Sequence, residues 1–187
     1  MKSKQWIIGG GILMVLVLWS IGSYNNFVNL KEASNTQWAQ VETVYQRRFD
    51  LIPNLVGSVK GIMNQEKEVF TALADARTKY GGAATVAEKQ AATGELNSAL
   101  SRLLVIVENY PQLRSSESVQ TLMTQLEGTE NRISVERNRF NEITKSYNIA
   151  VKRFPGVIMA KIFGYGPMEL FASDEAAKTA PTVDLIN

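Results

Sequence analysis

The side chains able to do chemistry are few. Glu127, Glu130 and Glu136 share one stretch, with Asp50 far upstream. Paired carboxylates carry out acid-base hydrolysis when a cleft holds them at a defined separation, but nothing in the sequence marks a cleft. Arg47-Arg48-Phe49-Asp50, followed by Pro53-Asn54, offers a binding site. An arginine on a helix seam more simply forms an ion pair that holds register. Asn131, Asn138, Asn141 and Asn148 recur along the stretch that carries the glutamates; they offer a ligand site, or else polar layers and a solvated face. Tyr45, Tyr110 and Tyr147 read as amphipathic core residues rather than catalysts. The chain has no cysteine and no histidine, which removes thiol nucleophiles, serine-histidine triads, disulfides, zinc-finger spacings and the Glu-x-x-His ligands of di-iron bundles. Gly9-Gly10-Gly11 is no phosphate loop, because it lies inside an apolar run where small residues suit helix packing. These patterns predict no catalytic residue, no cofactor and no metal.

The elements that position these groups are helices. Val119, Leu126, Ile133, Phe140, Tyr147 and Phe154 follow a spacing of seven, one stripe down one helix from Ser116 to Phe154. At 1.5 Å per residue it reaches about 58 Å, and it needs partners to cover the stripe. Ser115 or Ser116 caps it, and Pro155 stops it. Upstream, Trp38, Val41, Tyr45, Arg48, Ile52, Leu55, Val59 and Ile62 form an amphipathic seam, with a bend predicted near Asp50 from Pro53 and an end at Gly61. Asn64 caps a second helix with the line Phe70, Leu73, Ala76 and Tyr80, which Gly81-Gly82 breaks. Thr85 begins a third, striped by Leu96, Leu100, Leu103, Val107 and Tyr110, and Pro111 closes it. The apolar tail from Gly156 to Phe171 is predicted to fold onto the bundle end or the membrane surface.

Lys2 and Lys4 precede an uncharged run from Trp6 to Leu30, long enough to cross a bilayer. The rest of the chain holds 18 basic and 18 acidic residues, a neutral body that disfavours nucleic acid as a partner. A cleaved signal peptide competes with a retained anchor, since Ser20-Ile21-Gly22 is a passable small-x-small site. Trp19 in the cleavage region, and Trp6, Trp19 and Tyr24 at the two interfaces, favour the anchor. The two early lysines outweigh the lone Lys31, which places the N-terminus in the cytoplasm and the body outside.

Gln46-Arg47-Arg48-Phe49-Asp50-Leu51-Ile52-Pro53-Asn54-Leu55-Val56 resembles the signature of the LemA family. Two further blocks agree. They are Glu108-Asn109-Tyr110-Pro111-Gln112-Leu113 and Glu130-Asn131-Arg132-Ile133, the second followed by Arg137, Tyr147-Asn148 and Phe154-Pro155. The resemblance covers roughly residues 24 to 172. Phe49 stands where small residues are common in the family. The resemblance implies a bacterial membrane protein with one N-terminal span and an antiparallel helical bundle, and no established enzymatic activity or catalytic residues.

The reading is therefore all-α: a single transmembrane helix followed by an antiparallel, up-and-down four-helix bundle. Its segments are an anchor (1–24), the bundle (25–155), the apolar tail (156–172) and a disordered C-terminus (173–187). A rival lays the two middle helices end to end as one kinked rod. Setting the end of the first helix beside the start of the last pairs Val59 with Val119, Ile52 with Leu126, Tyr45 with Ile133 and Trp38 with Phe140. It also sets Arg48 opposite Glu130 as a structural ion pair, with Glu136 the alternative. The function predicted is a non-enzymatic interaction module tethered in the cell envelope, with the membrane and another envelope protein as partners. The alternatives are a carboxylate-dependent hydrolase and a secreted signalling protein.

Overall fold

A computed structural model describes residues 2–60 and 67–172. Six helices follow one another among the described residues: α1 (Lys2–Lys60), α2 (Lys67–Gly82), α3 (Val86–Asn109), α4 (Pro111–Arg114), α5 (Glu117–Lys152) and α6 (Gly156–Phe163), with no strand. The end predicted at Gly61, the cap at Asn64 and the tail beyond 172 lie outside the described residues.

α1 is 59 residues long, about 88 Å. Its side chains from Trp6 to Leu18 are exposed and apolar, and this is one stretch long and apolar enough to cross a membrane. The same helix then continues without a break into the packed body. Pro53 lies inside it on the exposed side, and α1 runs through as one helix.

The other boundaries have local causes. Thr85 caps α3 through a reciprocal box: its hydroxyl accepts from Glu88 N at 3.1 Å, and Glu88 accepts from Thr85 N at 3.1 Å and Ala84 N at 2.8 Å. Those backbone donors hold the Glu88 carboxyl below its ordinary value. Tyr110, which precedes a proline, leaves helical geometry (φ −107°, ψ 100°) and ends α3; Pro111 then opens the short α4. Ser116 occupies the cap position of α5, although its hydroxyl turns to Ser118 rather than to the backbone. α5 stops at Lys152, so the stripe of sevens is one residue shorter than its spacing suggests: Val119, Leu126, Ile133, Phe140 and Tyr147 are buried, while Phe154 is 74% exposed in the turn beyond.

α1 packs along α5, and α2 packs on α3, where Lys79 reaches Glu95 at 2.6 Å across the Gly81-Gly82 break. The two middle helices therefore lie beside one another rather than end to end. One core joins both pairs and gathers Val41, Tyr45, Ile52, Leu55 and Val59 of α1 with the α5 stripe, Leu73 of α2 and Leu96 and Leu103 of α3. Lys89 of α3 ties the pairs at the surface by reaching Glu42 and lying 5.2 Å from the ring centroids of both Trp38 and Tyr80. A second, smaller core at the membrane end gathers Phe27, Tyr147, Val151 and Ala160.

Candidate functional site

Arg48 is the charged residue in the buried seam of α1, with 5% of its surface exposed. One of its terminal nitrogens donates to Glu130 Oε2 on α5. Burial pushes the guanidinium below its ordinary value, and the Glu130 charge opposes that shift. Glu136, the alternative partner, instead accepts from Gln37 Nε2 at 2.7 Å and Arg139 at 3.2 Å. Two more contacts join the same pair of helices. Ser34 and Thr144 share a hydrogen bond of 2.5 Å, and the Trp38 and Phe140 rings lie 5.3 Å apart.

Beside Arg48 a groove of about 680 Å³ opens between α3 and α5. Nothing in the sequence marked it. The cause is local: α3 contributes Asn97 and Ser101 to the walls and α5 contributes Gln120 and Thr124, side chains too short or too polar to fill the space. Leu100, Leu104, Met123 and Leu126 make it apolar, and Glu127 and Glu130 stand on its α5 side. Two polar atoms of its lining are buried without a partner among the described residues, Arg48 Nε and Asn97 Oδ1. Nearby, the Tyr45 hydroxyl is also buried and unpartnered; Thr93 beside it directs its own hydroxyl to Lys89 O at 2.8 Å. Burial raises the Tyr45 hydroxyl above its ordinary value, and Tyr80 likewise.

The asparagines divide by what they bind. Asn148 and Asn141 each grip the backbone of the extended segment after α6, and each does so twice. Asn148 donates to Met168 O and accepts from Met168 N, both at 2.8 Å; Asn141 donates to Phe171 O at 3.0 Å and accepts from Phe171 N at 2.9 Å. Tyr147 donates to Gly166 O at 2.8 Å. Gln90 of α3 grips Ala172 in the same two-sided way, at 3.1 Å and 3.0 Å, and Arg137 adds a bond to Ala172 O. Phe171 is the apolar end of this strap, buried between Trp38 (5.6 Å) and Phe140 (5.5 Å) with the Arg137 guanidinium over its ring. The ligand of Asn141 and Asn148 is the chain's own C-terminal segment, whereas Asn131 and Asn138 face solvent. Sequence reasoning missed this pairing, and the seven-residue step from Asn141 to Asn148 was its one trace.

The remaining signature residues scatter. Arg47, Asp50, Pro53 and Asn54 lie on the exposed side of α1, where Gln46 donates to Asp50. Glu108 is exposed, and Tyr110 and Pro111 form the α3–α4 turn. Phe154 and Pro155 form the turn from α5 to α6. They are not gathered at one centre. Among the described residues no group of three metal-ligating side chains occurs.

The LemA family profile matches residues 37–185, taking in the Arg48 seam, the groove and the strap. The chain belongs to the LemA family. Three relatives are each 29% identical over 182 residues, covering 83% of this chain and 67% of their own length. They are the magnetosome protein MamQ of Magnetospirillum gryphiswaldense and the magnetosome proteins MamQ 1 and MamQ 2 of Paramagnetospirillum magneticum. With its apolar N-terminal helix, this is a membrane-associated protein of the LemA type.

Proposed function

We propose that this LemA protein is a non-enzymatic interaction module held at the membrane by α1. Its helices form an antiparallel four-helix bundle that presents the groove between α3 and α5 to a segment of a partner protein in the envelope. The antiparallel reading is supported by partners that step in opposite directions along the two helices: Ser34 with Thr144, Trp38 with Phe140, Arg48 with Glu130. In this reading the ion pair holds that register.

The observation that carries the function is the unfinished floor of the groove. Arg48 Nε is a donor and Asn97 Oδ1 an acceptor, and neither has a partner among the described residues. A peptide unit offers one acceptor and one donor, which meet both atoms once the Arg48 and Asn97 side chains turn toward the groove. The apolar wall of Leu100, Leu104 and Met123 takes an aliphatic side chain, while exposed Glu127 disfavours an anionic ligand. The relatives' names place them on an organelle; for this chain that supports an envelope role and does not transfer the organelle.

A photo-crosslinking residue at Met123 in the full-length protein, in its own membrane, tests this. The expected result is a discrete protein adduct that is lost when Ser101→Trp fills the groove. Crosslinks to lipid alone, or an adduct indifferent to Ser101→Trp, would refute it. The hydrolase reading draws support from Glu127 and Glu130 lining one groove. Against it, Glu130 is bound by Arg48 and Glu127 is exposed, so neither is the desolvated acid that such chemistry uses. A body outside the cytoplasm follows from Lys2 and Lys4. Cleavage near Ser23 would remove Val17, Trp19 and Ile21, which face Phe154 and Phe163 of the chain's later segments, and this favours the anchor over the secreted form.

A further inference from the structure

We propose that the elbow between α5 and α6 is a lipid-contacting foot, seated among the anionic phospholipid headgroups where α1 leaves the membrane. The proposal rests on reading α1 as spanning. It goes beyond that reading by assigning a second membrane contact to a distant part of the chain.

Four observations converge. The first is depth. Phe163 closes a hollow with Val17, Ser20, Ile21 and Tyr24, and its ring meets that of Tyr24 edge-on at 5.1 Å. On the other side, Trp19, Ser23 and Phe27 face Ile149, Arg153 and Phe154 across a cleft of about 360 Å³. The elbow thus lies beside the last turns of the apolar stretch. Trp19 and Tyr24 differ in height by only about 7.5 Å, the thickness of an aromatic interface belt.

The second is exposure. Phe154 is 74% exposed, Ile162 66%, Ile149 50% and Ile158 45%, and together they make an apolar collar contiguous with the equally exposed span. A body surrounded by water rarely keeps such a surface. The third is charge. Between Glu142 and Glu169 the sequence holds Lys145, Lys152, Arg153 and Lys161 and no acid. Lys152, Arg153 and Lys161 are exposed, so their stems can lie along the apolar collar while their heads reach phosphate. The fourth is rigidity. A Cβ on Gly156 would meet Ala150 O of α5 at 2.6 Å and the Phe27 ring at 3.6 Å, so the elbow is folded tightly back on the end of α5 and rests in van der Waals contact with α1. An eight-residue helix is short for independent membrane binding, but the span already holds this one at the surface.

The chain has no cysteine, so nitroxide labels can be placed singly in the full-length protein. Val15→Cys, Ile162→Cys, Phe154→Cys and Ser118→Cys are reconstituted in phosphatidylcholine vesicles with and without phosphatidylglycerol. Collision with oxygen, compared with collision with an aqueous nickel chelate, reports depth. The foot requires Ile162 and Phe154 to fall between Val15 and Ser118, at about 5–10 Å below the headgroup surface. Arg153→Glu with Lys161→Glu should move the Ile162 label toward water in the phosphatidylglycerol vesicles and not in the others; an equal shift in both refutes the headgroup contact. Labels at 154 and 162 as wet as the one at 118, with Val15 deep, sink the foot and leave the anchor standing. A wet Val15 sinks both.

Discussion

The two halves of α5 treat buried polar groups in opposite ways. Toward the membrane, Tyr147, Asn148 and Asn141 all have their hydrogen bonds met by the strap that follows α6. Toward the far end, around the groove, Arg48 Nε, Asn97 Oδ1 and the Tyr45 hydroxyl are buried with no partner among the described residues. A buried polar group without a partner costs about 1–3 kcal/mol. One half of α5 is therefore completed by the strap, and the other lies against side chains of α1 and α3 that keep open valences beside a groove. That contrast is what supports the proposed interaction surface; charge and hydropathy do not separate the two halves, because both continue the same apolar stripe.

The largest test is to remove the strap's anchor. Phe171→Ala empties a site between Trp38 and Phe140 and should lower unfolding free energy by about 3 kcal/mol, with faster hydrogen exchange from Gly166 to Ala172 and little change beside the groove. Comparable acceleration near Met123 would mean that the two halves are not independent. Next in size is the ion pair. Glu130→Gln leaves a buried guanidinium without its anion and should cost about 2 kcal/mol, less than a fully buried pair would lose because 42% of the Glu130 side chain is exposed. Arg48→Met with Glu130→Met should cost less than Glu130→Gln alone in urea unfolding; a larger loss would show that the charges add net stability.

Smaller effects separate the halves residue by residue. Asn148→Ala should cost about 1–2 kcal/mol by loss of its paired bonds, against about 0.5 kcal/mol or less for exposed Asn131→Ala. Thermal unfolding compares them directly, and equal losses would remove the distinction. The finest test sets Tyr147→Phe, expected to lose about 1 kcal/mol with its hydrogen bond, against Tyr45→Phe, expected to be neutral or stabilising. Alkaline pH sharpens it. The buried Tyr45 and Tyr80 hydroxyls hold their protons above the ordinary value of 10.0. The unfolded chain therefore binds fewer protons as pH rises past about 10, and stability falls there, having been fully present below it. Tyr45→Phe with Tyr80→Phe should flatten that decline in a melting series.

What the sequence disclosed followed periodicity. The stripe of α5 was legible because burial of a helix face recurs at fixed steps, and the LemA blocks because they recur as strings. Phe154 was misassigned to the stripe because spacing cannot see where a helix stops, and α5 ends at Lys152. That the apolar tail folds back was expected from its composition, but its course along α5 was illegible, because apart from Phe171 it is held through backbone atoms, which carry no sequence signal. The groove was illegible because it is what Ser101 and Thr124 fail to fill across two distant helices.

α1 has no joint between its apolar stretch and its core seam. From Tyr24 to Arg48 the unbroken rise is about 36 Å, so the helix sets the altitude of the groove above the bilayer as well as its compass bearing. A partner of the proposed kind would meet the groove at that height and on that side. Inserting one residue at Lys31 would turn Ser34 and Trp38 by about 100° relative to Tyr24 and Phe27, so α1 could no longer seat both of its cores on α5 at once.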